Sequence, residues 1–158
     1  MRTEFVNPFI TAAFAVFESV TGARPERGQV TLRTNTFTTQ QVSILAGVSG
    51  SVAGTVVYGM SIVTAMKIAS AMMNAEVAVL DDMAMSALSE LGNIITGNAT
   101  TLLSQSGYEL DITPPSLIKG VDVEICTRPP ALVVPLSTPF GRVEVNVALS
   151  EEAVRKAA

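Results

Sequence analysis

Apolar and polar positions change period several times along the chain, and each change marks an element. Phe9, Ala13, Phe17 and Val20 recur at helical spacing, Asn7 suits a helix cap, Pro8 suits a first helical position and Gly22 suits a stop. This predicts a first helix over residues 8–20. Alternation then predicts strands over 29–33, 42–48 and 53–60, with a turn at Gly50 and Ser51. Ser61 is placed to cap a second helix over 62–74, whose apolar side is Ala65, Ile68, Ala69, Met72 and Met73. Asp81 and Asp82 open a third and longer helix that reaches about Ser106 and stops at Gly107. Pro114 and Pro115 force the chain to extend. Strands follow over 116–119, 121–126, 131–136 and 143–149, and the tail after Ser150 reads as a short helix.

Helices do not alternate one for one with strands in this order. The fold class is therefore α+β with a largely antiparallel sheet. A helix followed by about three strands occurs twice, which suggests an internal duplication. No linker separates the halves, so residues 1–158 read as one domain.

The third helix has two distinct faces. At about 100° per residue, Ala84, Leu88, Leu91, Ile95 and Leu102 share one arc, which should meet the core. Ser86, Glu90, Asn93, Gly97 and Ser104 share another, which should face outward. No Lys or Arg occurs between Asp81 and Ser106, so Glu90 has no helical ion-pair partner. Gly92 and Gly97 lie mid-helix, each costing about 1 kcal/mol against alanine. Gly97 falls on the outward arc, where a small residue lets a partner approach. Gly92 lies off that arc and suits close packing inside the protein. Spacing alone thus marks a contact face and names no chemistry.

Composition narrows the chemistry further. The net charge is −4 and the cations are scattered, so neither a nucleic-acid backbone nor an anionic membrane is an expected partner. Histidine is absent, which removes the commonest metal ligand and every His-dependent nucleophile pair. Any hydrolysis must use carboxylates, amides and hydroxyls, or a partner's groups. The single cysteine, Cys126, lies in an alternating segment with no histidine to activate it; it reads as a buried or half-buried structural residue. The methionines at helical spacing read as core, with a minority near the outward face. The segment 47–51 has glycines but no phosphate-loop lysine, and reads as a turn. The apolar run 9–17 is approached through Glu4, Asn7 and Pro8 and followed at once by Glu18, so it reads as an amphipathic helix rather than a signal peptide.

The run Ser86-x-x-x-Glu90-x-x-Asn93, within SALSELGNIITGNA, resembles the signature of the CheC, CheX and FliY chemotaxis phosphatases. The string DITPPSLIKG at 111–120 is similar to the CheX branch, with Pro115 where that family has a proline after the motif. SIVTAMKIASAMM at 61–73, the first helix and the chain length are similar too, so the resemblance spans nearly the whole chain. It implies a CheC-like fold with two long pseudo-symmetric helices and one shorter helix. It implies a cytoplasmic enzyme of two-component signalling that hydrolyses the aspartyl phosphate of a CheY-type receiver domain. Asn93 would orient the attacking water, Glu90 would pair with the receiver's lysine, Ser86 would support them and Gly97 would face the partner. Mg²⁺ would come with the receiver, and the chain itself would hold no cofactor or metal. The CheX branch further implies a homodimer. CheC-type members carry a second motif; here the first helix has only Glu4-x-x-Asn7, which reads as structural. A module that docks on a receiver or on the flagellar switch without catalysis is the competing expectation.

Overall fold

Valine-rich alternation in the two longest strands builds the centre of the molecule. The computed structural model describes residues 3–33, 37–38, 40–128 and 130–152. In chain order the elements are α1 (Thr3–Thr21), β1 (Glu26–Arg27), β2 (Thr31–Arg33), β3 (Phe37–Thr38), β4 (Val42–Gly50), β5 (Val52–Met60), α2 (Ile62–Met73), α3 (Asp82–Gln105), β6 (Leu110–Ile112), β7 (Ser116–Lys119), β8 (Glu124–Ile125), β9 (Ala131–Thr138) and β10 (Gly141–Glu151). Every strand pairing among the described residues is antiparallel. The fold is α+β, as the element order predicts.

The sheet is built twice over. β5 pairs with β10 at the centre, β4 lies outside β5, and β9 lies outside β10. β6 and β7 then flank β4, while β1 and β2 flank β9. Each half therefore consists of a long helix and five strands, and lends its first two strands to the other half's edge. β3 pairs with its counterpart β8. Only α2 breaks the pattern. The duplication suggested by the sequence is thus real in the topology, and larger than a helix and three strands.

All three helices lie on one face of the sheet. Val56, Tyr58, Val134, Leu136, Val143, Val145 and Val147 meet Phe9, Phe17, Ile68, Leu88, Leu91 and Ile95 in one buried cluster. Period-2 strands supply one layer and period-3.6 helices the other.

Four expectations need correction. The first helix starts by Thr3, so Asn7 is inside it and Pro8 is an interior residue. Pro8 forfeits a hydrogen bond to Glu4, but the extra turn buries Phe5 and Val6, and each such burial is worth about 1.5–3 kcal/mol. Phe5 also sets its ring edge-on to Tyr108, with centroids 5.4 Å apart. The strand expected over 121–126 shrinks to β8, because Asp122 takes a left-handed conformation at φ 56° and breaks the extended run. Residues 47–50 continue β4 instead of turning, held by pairing to β5 and β6; Ser51 alone separates β4 from β5. Glu151 finishes β10, paired to Val52, where a helix was expected after Ser150; that expected helix from 153 on lies outside the described residues.

Candidate functional site on the third helix

α3 begins where the sequence implies. The Asp81 carboxylate accepts a hydrogen bond from the Ala84 amide at 2.9 Å and so caps the helix, with Asp82 in its first turn. Ala84, Leu88, Leu91 and Ile95 are all fully buried. Leu102 is only half-buried, and Leu103 takes the core position near the helix end. A regular arc drifts over six turns, so the last turn is where extrapolation from the first fails.

The rotation of α3 is fixed from beneath. Gly92 is buried, and a Cβ there would lie 2.5 Å from Ile44 Cγ2 and 3.6 Å from Tyr58 Cδ2. The missing side chain lets the helix rest directly on β4 and β5. One turn later Thr96 Oγ1 and the Tyr58 hydroxyl share a hydrogen bond of 2.7 Å, with both residues fully buried. Burial pushes the Tyr58 phenol well above its ordinary value, and the Thr96 bond offsets only part of this, so the hydroxyl stays protonated. Sequence reasoning missed this pair. Helical periodicity leaves Thr96 between the two arcs, and nothing local says that a tyrosine thirty-eight residues earlier lies under it.

With that face seated, the opposite face opens to solvent. Ser86 and Glu90 are exposed, and Asn93 and Gly97 are half-buried. Ser86, Glu90 and Asn93 line one open groove of about 490 Å³ together with Asp82, Met85, Ser89 and Pro115. Gly97 is not part of its lining; it lies one turn beyond, where the nearest atom to an added Cβ is Ile112 Cδ1 at 4.0 Å. Pro115 arrives by a hydrogen-bonded crossing. Thr113 donates its amide to the Gly47 carbonyl at 2.9 Å and accepts the Gly47 amide on its hydroxyl at 3.0 Å. The two prolines then turn the chain from β6 into β7 along the groove wall. Ser89 and Met85 are groove residues that the outward arc did not include. Helical spacing alone puts them off the arc; a neighbouring loop makes them part of the site.

Among the described residues, neither the Glu90 carboxylate nor the Asn93 amide has a hydrogen-bond or ion-pair partner within the chain. Asp82 adds a second carboxylate, and no cation lines the groove. Such a site cannot neutralise a phosphoryl group by itself. It can offer a carboxylate to a partner's cation, and an amide that both donates and accepts to a water molecule.

Other singled-out residues lie elsewhere. On α1 the Glu4 carboxylate accepts from the Tyr108 hydroxyl at 2.9 Å, which agrees with the structural reading of Glu4. Cys126 is exposed, which corrects the expectation of a buried or half-buried thiol: Ile125 is the buried residue of β8, so alternation turns Cys126 outward with Glu124. Met60 is buried and Met66, Met72, Met73 and Met85 pack against the core, while Met83 is exposed near the start of α3. No helix among the described residues is long and apolar enough to cross a membrane.

Comparison with known proteins agrees with this geometry. Residues 42–137 match the family described as chemotaxis phosphatase CheX. The chain is 31% identical over 151 residues to the CheY-P phosphatase CheX of Thermotoga maritima, covering 95% of this chain and 97% of that one. Among solved structures it is similar to the chain in a CheX-CheY-BeF3-Mg²⁺ complex from Borrelia burgdorferi, with a TM-score of 0.82, 35% identity, and coverage of 95% and 100% of the two chains. A chemotaxis protein CheX from Desulfovibrio desulfuricans gives a TM-score of 0.83 at 26% identity, over 94% and 99% of the two chains.

Proposed function

We propose that this chain, which belongs to the chemotaxis phosphatase CheX family, hydrolyses the aspartyl phosphate of a CheY-type receiver domain by presenting Glu90 and Asn93 from α3. The chain is a phosphatase by its family. The observation that carries the finer reading is the groove itself: an unpartnered carboxylate and an unpartnered amide, one helical turn apart, with no cation beside them.

An aspartyl phosphate is an acyl phosphate, already activated toward hydrolysis. What the reaction lacks is a water held in line. In our reading the Asn93 amide oxygen accepts a hydrogen bond from the water and holds the water oxygen toward phosphorus. The water oxygen bonds to phosphorus as the bond to the aspartate oxygen breaks. The aspartate leaves as carboxylate, the water's protons pass to phosphate and solvent, and inorganic phosphate is released. Phosphoryl transfer is governed by positioning and electrostatics, so a single oriented water is a sufficient contribution. Glu90 pairs with the receiver's lysine and so fixes the register of docking. Mg²⁺ travels with the receiver and neutralises the phosphoryl charge. Ser86, exposed on the same groove, supports the docked geometry, and Gly97 gives the partner room.

The same reading places the chain in the cytoplasm with its receiver, as a homodimer presenting one groove per subunit. The test is to incubate the protein with a phosphorylated receiver and follow phosphate release. Release faster than the receiver's own decay supports catalysis; binding without faster release would assign the groove to docking alone.

A further inference from the structure

We infer that Tyr58 and Thr96 form a buried clamp that positions the water-orienting amide of Asn93. The inference rests on the role of Asn93 proposed above. It begins from the arrangement beneath α3. Tyr58 is on β5, in the middle of the sheet, paired to Ile44 on β4 and Val145 on β10. Its ring passes under Gly92, within 3.6 Å of where a Cβ would stand, and its hydroxyl reaches Thr96 at 2.7 Å. Asn93 directly follows Gly92 and precedes Thr96 by three residues. The turn that carries the amide is therefore seated at its start by contact with Ile44 and Tyr58, and tied at its end by a hydrogen bond. A contact sets depth but permits sliding and rotation. The directional bond removes both.

This bond is the sole side-chain hydrogen bond between α3 and the sheet among the described residues. The two hydroxyls satisfy each other in an otherwise apolar layer, since the buried cluster that holds Tyr58 is made of hydrophobic side chains. A Phe and a Val of the same shape would fill the layer and hold it together, but would leave the rotation of α3 to packing. The pair is thus suited to fixing an orientation that stability does not require.

Four variants of the full chain test this: Tyr58→Phe, Thr96→Val, Thr96→Ser and the double Tyr58→Phe/Thr96→Val. Each is assayed for Tm and for kcat and KM on a phosphorylated receiver. Thr96→Val strands the Tyr58 hydroxyl in an apolar layer and should lower Tm most. Tyr58→Phe should lower it less, because Thr96 can bond back to its own helix. In the double variant neither hydroxyl remains, so Tm should return close to wild type. The clamp predicts that kcat nonetheless stays low in the double variant, by about tenfold, with KM within about twofold, because a displaced amide harms the chemical step and not docking. Thr96→Ser keeps the hydroxyl and should restore kcat. Activity that recovers together with Tm in the double variant overturns the inference, as does a raised KM at unchanged kcat. Asn93→Ala in the same assay keeps the two readings apart. If it retains activity, the role of Asn93 fails first; if it is inactive while the double variant is normal, only the clamp fails.

Discussion

In the proposed mechanism Asn93 and Glu90 gain their use from being left without partners inside the chain. A half-buried amide with no hydrogen bond inside the chain has donor and acceptor capacity to spare, and the rest of the groove competes for neither. Replacing Asn93 by Ala should lower receiver dephosphorylation about 10²-fold or more, with thermal unfolding almost unchanged. Stopped assays of phosphate release alongside a melting curve check both halves. Activity within a few-fold of wild type would refute the water-orienting role. Glu90 makes a different prediction because its proposed role is to pair with the receiver. Glu90→Ala should weaken receiver binding and turnover together, since the partner's cation is then left unpaired. Glu90→Gln keeps the shape and one acceptor, so binding should suffer less than turnover. Titration of each variant with the receiver, beside steady-state kinetics, separates the two. Equal behaviour of both variants and wild type removes the ion pair.

At the scale of the helix, two glycines on one element have opposite reasons to be small. Gly92 is a seat. A methyl group there meets Ile44 Cγ2, a branch atom of a fully buried side chain with nowhere to swing. At a separation of 2.5 Å the overpacking cost falls in the upper part of its range, about 2–3 kcal/mol, which exceeds the ~1 kcal/mol that alanine contributes to the helix. Gly92→Ala should therefore lower stability by about 1–2 kcal/mol in urea unfolding; an unchanged or higher midpoint would show that α3 does not rest on β4 there. Gly97 has open space above it, so Gly97→Leu should fold as well as wild type or slightly better. Its cost should appear in receiver affinity. An unfolded Gly97→Leu variant would place that residue in the core, and normal binding would show that the partner does not approach past the groove. Much of this helix was legible beforehand, because one strongly periodic element carries its own frame: Asp81 as cap, the aliphatic arc, Gly92 inside and Ser86, Glu90 and Asn93 outside. What was not legible depends on neighbours. Pro8 looked like a helix start because the burial of Phe5 and Val6 cannot be read from local spacing. Ser89 became a groove residue only through Pro115, and Tyr58 met Thr96 only through the pairing of β4, β5 and β10.

At the scale of the whole molecule, the proposed site lies on one half of the duplicated fold. The helix α3 has the Glu-Asn pair, whereas on its counterpart α1 the Glu4 carboxylate is engaged by Tyr108. The proposed groove on α3 is acidic, lined by Asp82 and Glu90. Its charge has a consequence for the metal. Phosphoryl hydrolysis needs positive charge near the oxygens, and neither Lys, Arg nor His is present along α3 to supply it. Among the described residues no three Asp, Glu, Cys or His side chains converge to hold an ion, so the expected source is the receiver. Dephosphorylation should therefore require Mg²⁺, and the requirement should follow the receiver's own affinity for the ion. Calorimetric titration of Mg²⁺ into the isolated chain should show no binding, while titration into the mixture with the receiver should reproduce the receiver's curve. Chelation after the complex has formed should stop phosphate release without unfolding this chain, as followed by circular dichroism. Tight Mg²⁺ binding to the isolated chain would move part of the catalytic charge onto this protein. The groove would then have to be read as a metal site, with Glu90 and Asp82 as its acids, in place of a docking face completed by its partner.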